Sequence, residues 1–351
     1  MASPSPHPWA CLAALALLLA LAATPHAEPL RVAVISDLNG AYGTTRYAAT
    51  IDNAIARIIE LDPDLVISTG DMVAGQRRPH LARPEIENMW HAFHAHVSAP
   101  LAAAGIPLAV TPGNHDASAY PGFDLERRIF DEQWRARSPS ARFIDRAHYP
   151  FRYAFAQGGA LFISLDMTTA EHLSAAQTVW LRALLAEHGG RYEYRVIFGH
   201  LPLWPLAEGR ESEYVGDTEL QAMFEKYQVD LVLSGHHHAF YPGAKDGVAF
   251  VAQSCLGAGP RTLLGAREIS PRSFSVVALA PDGVHVGAFA APDFTALIDW
   301  RTLPREVRTP VAVLTRADLV PESAIAPAAP ERLGPAPDAW PGISRDRQEK
   351  P

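Results

Sequence analysis

Cysteine is nearly missing from this chain: Cys11 and Cys255 are the only two in 351 residues. Cys11 lies in an apolar N-terminal run, so loss of that run would leave one thiol and no intrachain disulfide. An exported destination does not contradict that. A chain this long, with 48% hydrophobic and 19% charged residues, buries enough core without covalent staples. No basic tract interleaved with aromatics occurs, and the formal net charge is −8. Both features set nucleic acid aside as the main partner, although a local metal cluster can outweigh the global sign. No internal repeat is visible.

Long apolar runs are also scarce. Trp9 to Ala23 is the longest, too short for a comfortable span of roughly 20 residues. Small residues follow it, and Ala20-Leu21-Ala22 or the surroundings of Ala27 suit cleavage. Residues 1–27 therefore read as an export signal, giving a periplasmic or secreted protein. The segment before the run has His7 and the terminal amine but no Lys or Arg, so an uncleaved anchor is the alternative. In that case alone would the chain have a stable membrane attachment. Cys11 begins the run instead of ending it, which argues against a lipid-modified cysteine.

What is present is a repeated unit: a buried strand that stops at a polar cluster. Leu30 to Ser36 stops at Asp37-Leu38-Asn39, and Leu65 to Thr69 at Gly70-Asp71. Ile106 to Val110 stops at Thr111-Pro112-Gly113-Asn114-His115-Asp116. Apolar residues at helical spacing fill Tyr47 to Leu61 and Glu85 to Ala103 between them, which is a β-α-β-α-β pattern. Gly158-Gly159 joins two strands as a hairpin. Ser174-Ala175-Ala176-Gln177 reads as a capping box opening a helix. Tyr194 to Phe198 ends at Gly199-His200, and Asp230 to Leu233 at Gly235-His236-His237-His238. Further strands are expected over Val248–Ala252, Ser273–Ala280 and Val284–Phe289. These residues form one domain over 28–292, with a surface insertion at 117–150 placed as a lid over the strand ends. A C-terminal extension follows over 293–351, Pro-rich and without periodicity from about 321.

Taken alone, Gly113 to Asp116 reads equally well as a polar turn. The recurrence at other strand ends favours a site, because ligands of open α/β sheets gather beyond the carboxyl ends of strands. Carboxylates, imidazoles and a carboxamide are ligands for borderline metals such as zinc, iron or manganese. They are too many for one ion; two ions about 3.5–4 Å apart, sharing one carboxylate, would use them all. A glycine before a ligand would let the backbone turn sharply and come close to the metals.

These motifs resemble, in order, those of the calcineurin-like metallophosphoesterases: D-x-H, G-D, G-N-H-D/E, G-H and G-H-x-H. The likeness runs from about Leu30 to Phe289 and includes Gln177-Thr178-Val179-Trp180-Leu181 and Val229-Asp230-Leu231-Val232-Leu233. It implies an α/β fold with a two-sheet sandwich flanked by helices. It also implies one metal on Asp37, position 39, Asp71 and His238, and a second on Asp71, Asn114, His200 and His236. A hydroxide between the ions would attack the phosphorus of a monoester or diester. His115 would serve the leaving-group oxygen, with Asp116 orienting its imidazole.

Asn39 departs from the pattern, offering an amide oxygen where the family has an imidazole. That makes harder ions, manganese or magnesium, more plausible. It also opens a second reading, a metal-binding protein of weak or lost turnover on the same scaffold. Purple acid phosphatases carry a Tyr three residues after the G-D aspartate; Ala74 holds that position, which sets this branch and its charge-transfer iron aside. Arg261, in a glycine-rich loop, is a candidate phosphate contact or a plain surface turn, and Tyr42 a similar candidate. His237 should point away from its two neighbours. His91, His94 and His96 read as helix-face residues, Asp166 as a strand-end cap or a site residue, and Cys255 as buried and apolar. The acidic balance favours a small-molecule phosphoester as substrate.

Overall fold

The computed structural model describes residues 29–257, 259–320 and the backbone of 333–335. The expected signal over 1–27, and the tail from 321 apart from that short piece, lie outside the described residues. Among them, no helix is long and apolar enough to cross a membrane.

Two sheets face one another. The strands are β1 (Leu30–Ile35), β2 (Leu65–Ser68), β3 (Leu108–Val110), β4 (Arg142–His148), β5 (Arg152–Gln157), β6 (Ala160–Ser164), β7 (Tyr194–Phe198) and β8 (Leu231–Ser234). They continue with β9 (Tyr241–Lys245), β10 (Val248–Ala252), β11 (Ser273–Ala280), β12 (Gly283–Ala290), β13 (Ala296–Leu297), β14 (Glu306–Arg308), β15 (Val313–Arg316) and β16 (Leu333–Pro335). One sheet runs β13-β12-β11-β1-β2-β3, with β16 also on β12; the other runs β14-β15-β9-β10-β8-β7-β6-β5-β4. The strands carrying the polar clusters are parallel within each sheet: β1 to β2 to β3, and β7 to β8. All five clusters therefore emerge at carboxyl ends, as the strand pattern implied.

Period-two alternation divides the core. Phe155, Phe162, Val196, Phe198, Leu231 and Leu233 face the first sheet and its helices. Leu161, Ile163, Ile197 and Val232 face the opposite way, under helices over Ala175–His188 and Thr218–Lys226. Such strands, buried on both faces, read as continuous apolar runs. The sheets are pinned together close to the site. The Tyr153 hydroxyl donates to Val110 O at 2.7 Å and accepts from Val110 N at 3.0 Å, and Thr111 Oγ1 donates to Leu165 O at 2.9 Å.

Three expectations change. Residues 117–150 are not a lid. Their helix Asp124–Arg135 buries Ile129, Phe130 and Trp134 in the main core, with Trp134 edge-on to Trp90 at 5.9 Å. The segment then supplies β4 on the sheet edge. Phe130, Trp134 and Tyr149 are fully buried in the core, which a lid would not need. Residues 293–320, read as the start of an extension, contribute β13, β14 and β15 to the two sheets. The capping box at Ser174 forms by half: Ser174 Oγ accepts from Gln177 N at 3.3 Å. The Gln177 side chain instead bonds the backbone of Asp166.

Candidate metal centre

Each strand end turns sharply, and four site residues occupy left-handed backbone: Asp37 (φ 51°), Asp71 (φ 55°), His236 (φ 62°) and His238 (φ 52°). Non-glycine residues rarely hold this conformation, and it concentrates at functional sites. The glycines between them make room for neighbouring loops instead of letting the backbone approach a metal. A Cβ on Gly113 would fall 2.1 Å from Asp71 N, and one on Gly235 would fall 2.0 Å from Ser36 Oγ. The loops thus interlock, with Leu38 N and Asn39 N both donating to Asp71 O.

The second-metal residues come together at one point. His200 Nε2 lies 2.9 Å from Asn114 Oδ1, 3.2 Å from His236 Nδ1 and 3.3 Å from Asp71 Oδ2. Asp71, His200 and His236 form a buried metal-compatible group whose ligand atoms all lie within 4.8 Å of one another. On the other side, His238 Nε2 is 3.1 Å from Asp37 Oδ1. That approach is close without being aligned as a hydrogen bond, so Asp37 Oδ1 stays a buried carboxylate oxygen with no donor. Its partner oxygen, Oδ2, is satisfied by His236 N at 3.0 Å and by the Ser36 hydroxyl. Asn39 is buried on the same loop, and among the described residues its side chain makes no hydrogen bond.

What aims these groups is their outer hydrogen bonds. A carbonyl can only accept, so His200 Nδ1 donates to Thr69 O (2.8 Å), His238 Nδ1 to Gly259 O (2.8 Å) and His115 Nδ1 to Gly75 O (2.9 Å). His236 Nε2 donates to the Glu213 carboxylate at 2.9 Å, and Arg210 holds the same carboxylate. Asn114 Nδ2 donates to Gln76 Oε1 at 2.6 Å, which turns the amide oxygen inward. With the outer nitrogens protonated, His200 Nε2, His236 Nδ1, Asn114 Oδ1 and Asp71 Oδ2 all present electron pairs to one another. One proton can relieve only part of that repulsion; a cation relieves all of it. The separations also match the edge of about 3.0 Å expected around an ion bonded at roughly 2.1 Å. The residues present therefore fit a metal.

The electrostatics agree. Burial would raise the Asp71 carboxyl, but the imidazoles of His200, His115 and His236 outweigh it and hold it well below the usual range. Burial likewise opposes the charge on Asp37, and His238 overrides it downward. Burial opposes a charged His200, yet Asp71 and Asp37 raise it to about 9. His236 is pushed the other way, to about 4, by burial and by neighbouring His200. The two carboxylates demand positive charge in this cavity, and protons compete with metal ions to provide it.

The remaining candidates separate clearly. His115 Nε2 points into the site, 3.8 Å from Asp71 Oδ2. Asp116 does not touch that imidazole: its carboxylate accepts from Val73 N (2.9 Å) and Gly113 N (3.0 Å), tying two loops together. The orienting role expected of Asp116 belongs to Gly75 O. Burial and the nearby Asp71 raise Asp116 to about 8. Arg261 lies beside the Arg210–Glu213 pair, its acidity increased by burial and by Arg210. Tyr42 stands with its ring 5.2 Å from that of His115. His237 is turned away, accepting from Leu206 N and donating to Glu213 O. His94 bonds Ser98 and Gln133, and Asp166 pairs with Arg127 at 2.6 Å. Cys255 is fully buried, as its apolar reading expected. Glu213 and Gln76 were missed because they lie in stretches without motif spacing.

Residues 30–240 match the model of the calcineurin-like phosphoesterases, and the chain belongs to that family. Among curated relatives, purple acid phosphatase 15 of Arabidopsis thaliana is 24% identical over 247 residues, covering 62% of this chain and 41% of that protein. The chain thus spans under half the length of that relative. Among solved structures, a purple acid phosphatase from yellow lupin seeds has a TM-score of 0.57 at 18% identity, over 78% of this chain and 53% of that one. A dimetal phosphatase from Danio rerio has a TM-score of 0.54 at 15% identity, over 83% and 100%. These likenesses confirm the two-sheet α/β fold. Members of the purple acid phosphatase branch are among these relatives, at under 25% identity; Ala74 stands where that branch carries its Tyr.

Proposed function

We propose that the protein is an exported, dinuclear metal-dependent hydrolase of a small-molecule phosphomonoester or phosphodiester. The observation that carries this reading is the convergence of Asp71, Asn114, His200 and His236 on one point, with Asp37 and His238 beside it. In this assignment Asp71 would be shared by the two ions, and Asn39 would complete the first site through its amide oxygen. Manganese, iron, zinc or magnesium, when bound, supplies charge neutralisation for the phosphoryl oxygens and activation of water. His115 acts at the leaving-group oxygen. Its Nδ1–H is committed to Gly75 O, so a proton gained or released is carried by Nε2, which faces the site. Arg261 meets the phosphate from the Glu213 side. Export rests on residues 1–27 and is tested by the N-terminus of the mature protein, expected between residues 21 and 30.

The test is hydrolysis of a chromogenic monoester and a diester by metal-stripped protein supplied with each metal in turn. His115→Ala should abolish turnover and keep metal, whereas Asp71→Ala should lose both ions. Absence of turnover with every metal, together with less than one bound ion per chain, would sink the enzyme reading and leave the metal-poor binding protein that Asn39 brings into view.

A further inference from the structure

Beside the metal centre a cleft of about 690 Å³ opens between Tyr42, Gln76, Arg77, Arg78, Tyr120 and Phe123. It joins the centre at two points. The Tyr42 ring lies 5.2 Å from the His115 ring, tilted by 49°, and Gln76 holds the Asn114 amide at 2.6 Å. Whatever fills the cleft therefore lies next to His115, where the leaving group departs.

The lining has a definite chemistry. Among the described residues, large apolar side chains left exposed include two aromatics, Tyr42 at 59% and Tyr120 at 46%, and both stand in this cleft. Tyr120 is fixed in place: its hydroxyl accepts from Ala170 N at 3.2 Å and its amide donates to Ser118 Oγ at 3.1 Å. Ser118 Oγ also accepts from Gln76 Nε2 at 3.2 Å, so the ring and the metal-site amide share one anchor. Arg78 is occupied, reaching Pro121 O and lying 5.3 Å over the Phe123 ring. Arg77 is exposed and, among the described residues, has neither hydrogen bond nor ion pair. A Cβ on Gly43 would fall 3.6 Å from its guanidinium, which places it next to Tyr42. Two exposed aromatic rings, one of them held in place, and a free planar guanidinium suit a flat ring that stacks and offers acceptor atoms at its edge. A small polyol phosphate would leave all three groups unused.

We infer that this cleft is a leaving-group subsite for a planar nitrogenous ring, which makes the substrate a phosphoester of the nucleotide type. The inference rests on the hydrolase reading above and specifies its substrate class.

Adenosine 5′-monophosphate and ribose 5-phosphate test it, since they share phosphoryl group, leaving oxygen and sugar and differ in the base. The expected kcat/KM ratio in favour of the nucleotide is about 5- to 150-fold, the worth of one stacked base. Tyr42→Ala and Tyr120→Ala should each bring the ratio towards one, and Tyr42→Phe should preserve it. Adenosine itself should bind the metal-free protein in a calorimetric titration, and Tyr120→Ala should abolish that binding. Equal turnover of the two phosphates, or a ratio unmoved by both alanine variants, overturns the subsite and leaves the hydrolase standing. Adenosine binding that depends on Tyr120, in a protein that hydrolyses no ester with any metal, upholds the subsite and refutes the hydrolase.

Discussion

Removal of the Glu213 carboxylate should weaken one metal site and leave the other intact. Glu213 accepts from His236 Nε2 at 2.9 Å, and His236 turns its other nitrogen towards His200. A carboxylate behind a ligating imidazole fixes its ring and raises its basicity, and its loss commonly costs ten- to a hundredfold in metal affinity. The bond is charge-assisted, roughly 1.5–3 kcal/mol. Glu213 is 40% exposed, however, so screening reduces this to about 1.4 kcal/mol, or about tenfold. Glu213→Ala should therefore raise the dissociation constant of the second site about tenfold in a chelator competition titration. Glu213→Gln, which keeps an acceptor, should raise it less. The site on Asp37 and His238 should not change. Equal weakening of both sites, or of neither, would refute the assignment. The bond also has a pH signature. His236 is the main cause that holds Glu213 down to about 2, against an ordinary 4.5. A depressed carboxyl adds stability that is complete above its unfolded value and lost as pH falls towards the folded one. The stability advantage of metal-free wild type over Glu213→Gln should thus be full at pH 5.5 and fade between about 4.5 and 2.

Other residues give independent tests. Asp116→Ala strands the Val73 and Gly113 amides, each worth about 1–3 kcal/mol when buried and unpaired. It should lower stability in urea by roughly 2–6 kcal/mol and leave the Nδ1–H tautomer of His115 unchanged by nitrogen NMR; a shifted tautomer would restore the orienting role to Asp116. Trp134→Ala should cost about 3–5 kcal/mol, the usual loss for a buried aromatic; a near-neutral result would mean that 117–150 is an appendage after all. Asn39→His should tighten the first site at least tenfold if position 39 is a ligand, and an unchanged affinity would remove it from the ligand set.

The fold was legible where burial writes a pattern. Apolar runs such as Leu65–Ser68 and Leu231–Ser234 are buried on both faces, and each stops where its ligand loop begins. Residues 117–150 defeated the pattern because Arg and aromatic residues alternate there without clean periodicity. Arg127, for example, spans Ala117 O, Asp166 and the Phe151 ring at once. A segment built on such long-range contacts looks like a surface loop when read locally. The same applies to 293–320, whose strands are only two to four residues long and lie towards the sheet edges.

The candidate ligands stood out in the sequence and the groups that aim them did not, and the reason is chemical. Metals select side chains by type, so Asp, His and Asn at strand ends stand out. Orientation can come from any acceptor, and three of the four acceptors holding these imidazoles are main-chain carbonyls, of Thr69, Gly75 and Gly259. No residue type signals a carbonyl. Asp116 shows how adjacency misleads: Asn114–Ala117 is a helical turn, in which neighbours point about 100° apart. His115 and Asp116 therefore face different partners although they are consecutive. Substitution cannot remove a carbonyl either, so the aim of His115, His200 and His238 is out of reach of side-chain changes. Among these imidazoles His236 is the one aimed by a side chain, so Glu213, like Gln76 behind the Asn114 amide, is a place where a single substitution separates orientation from ligation.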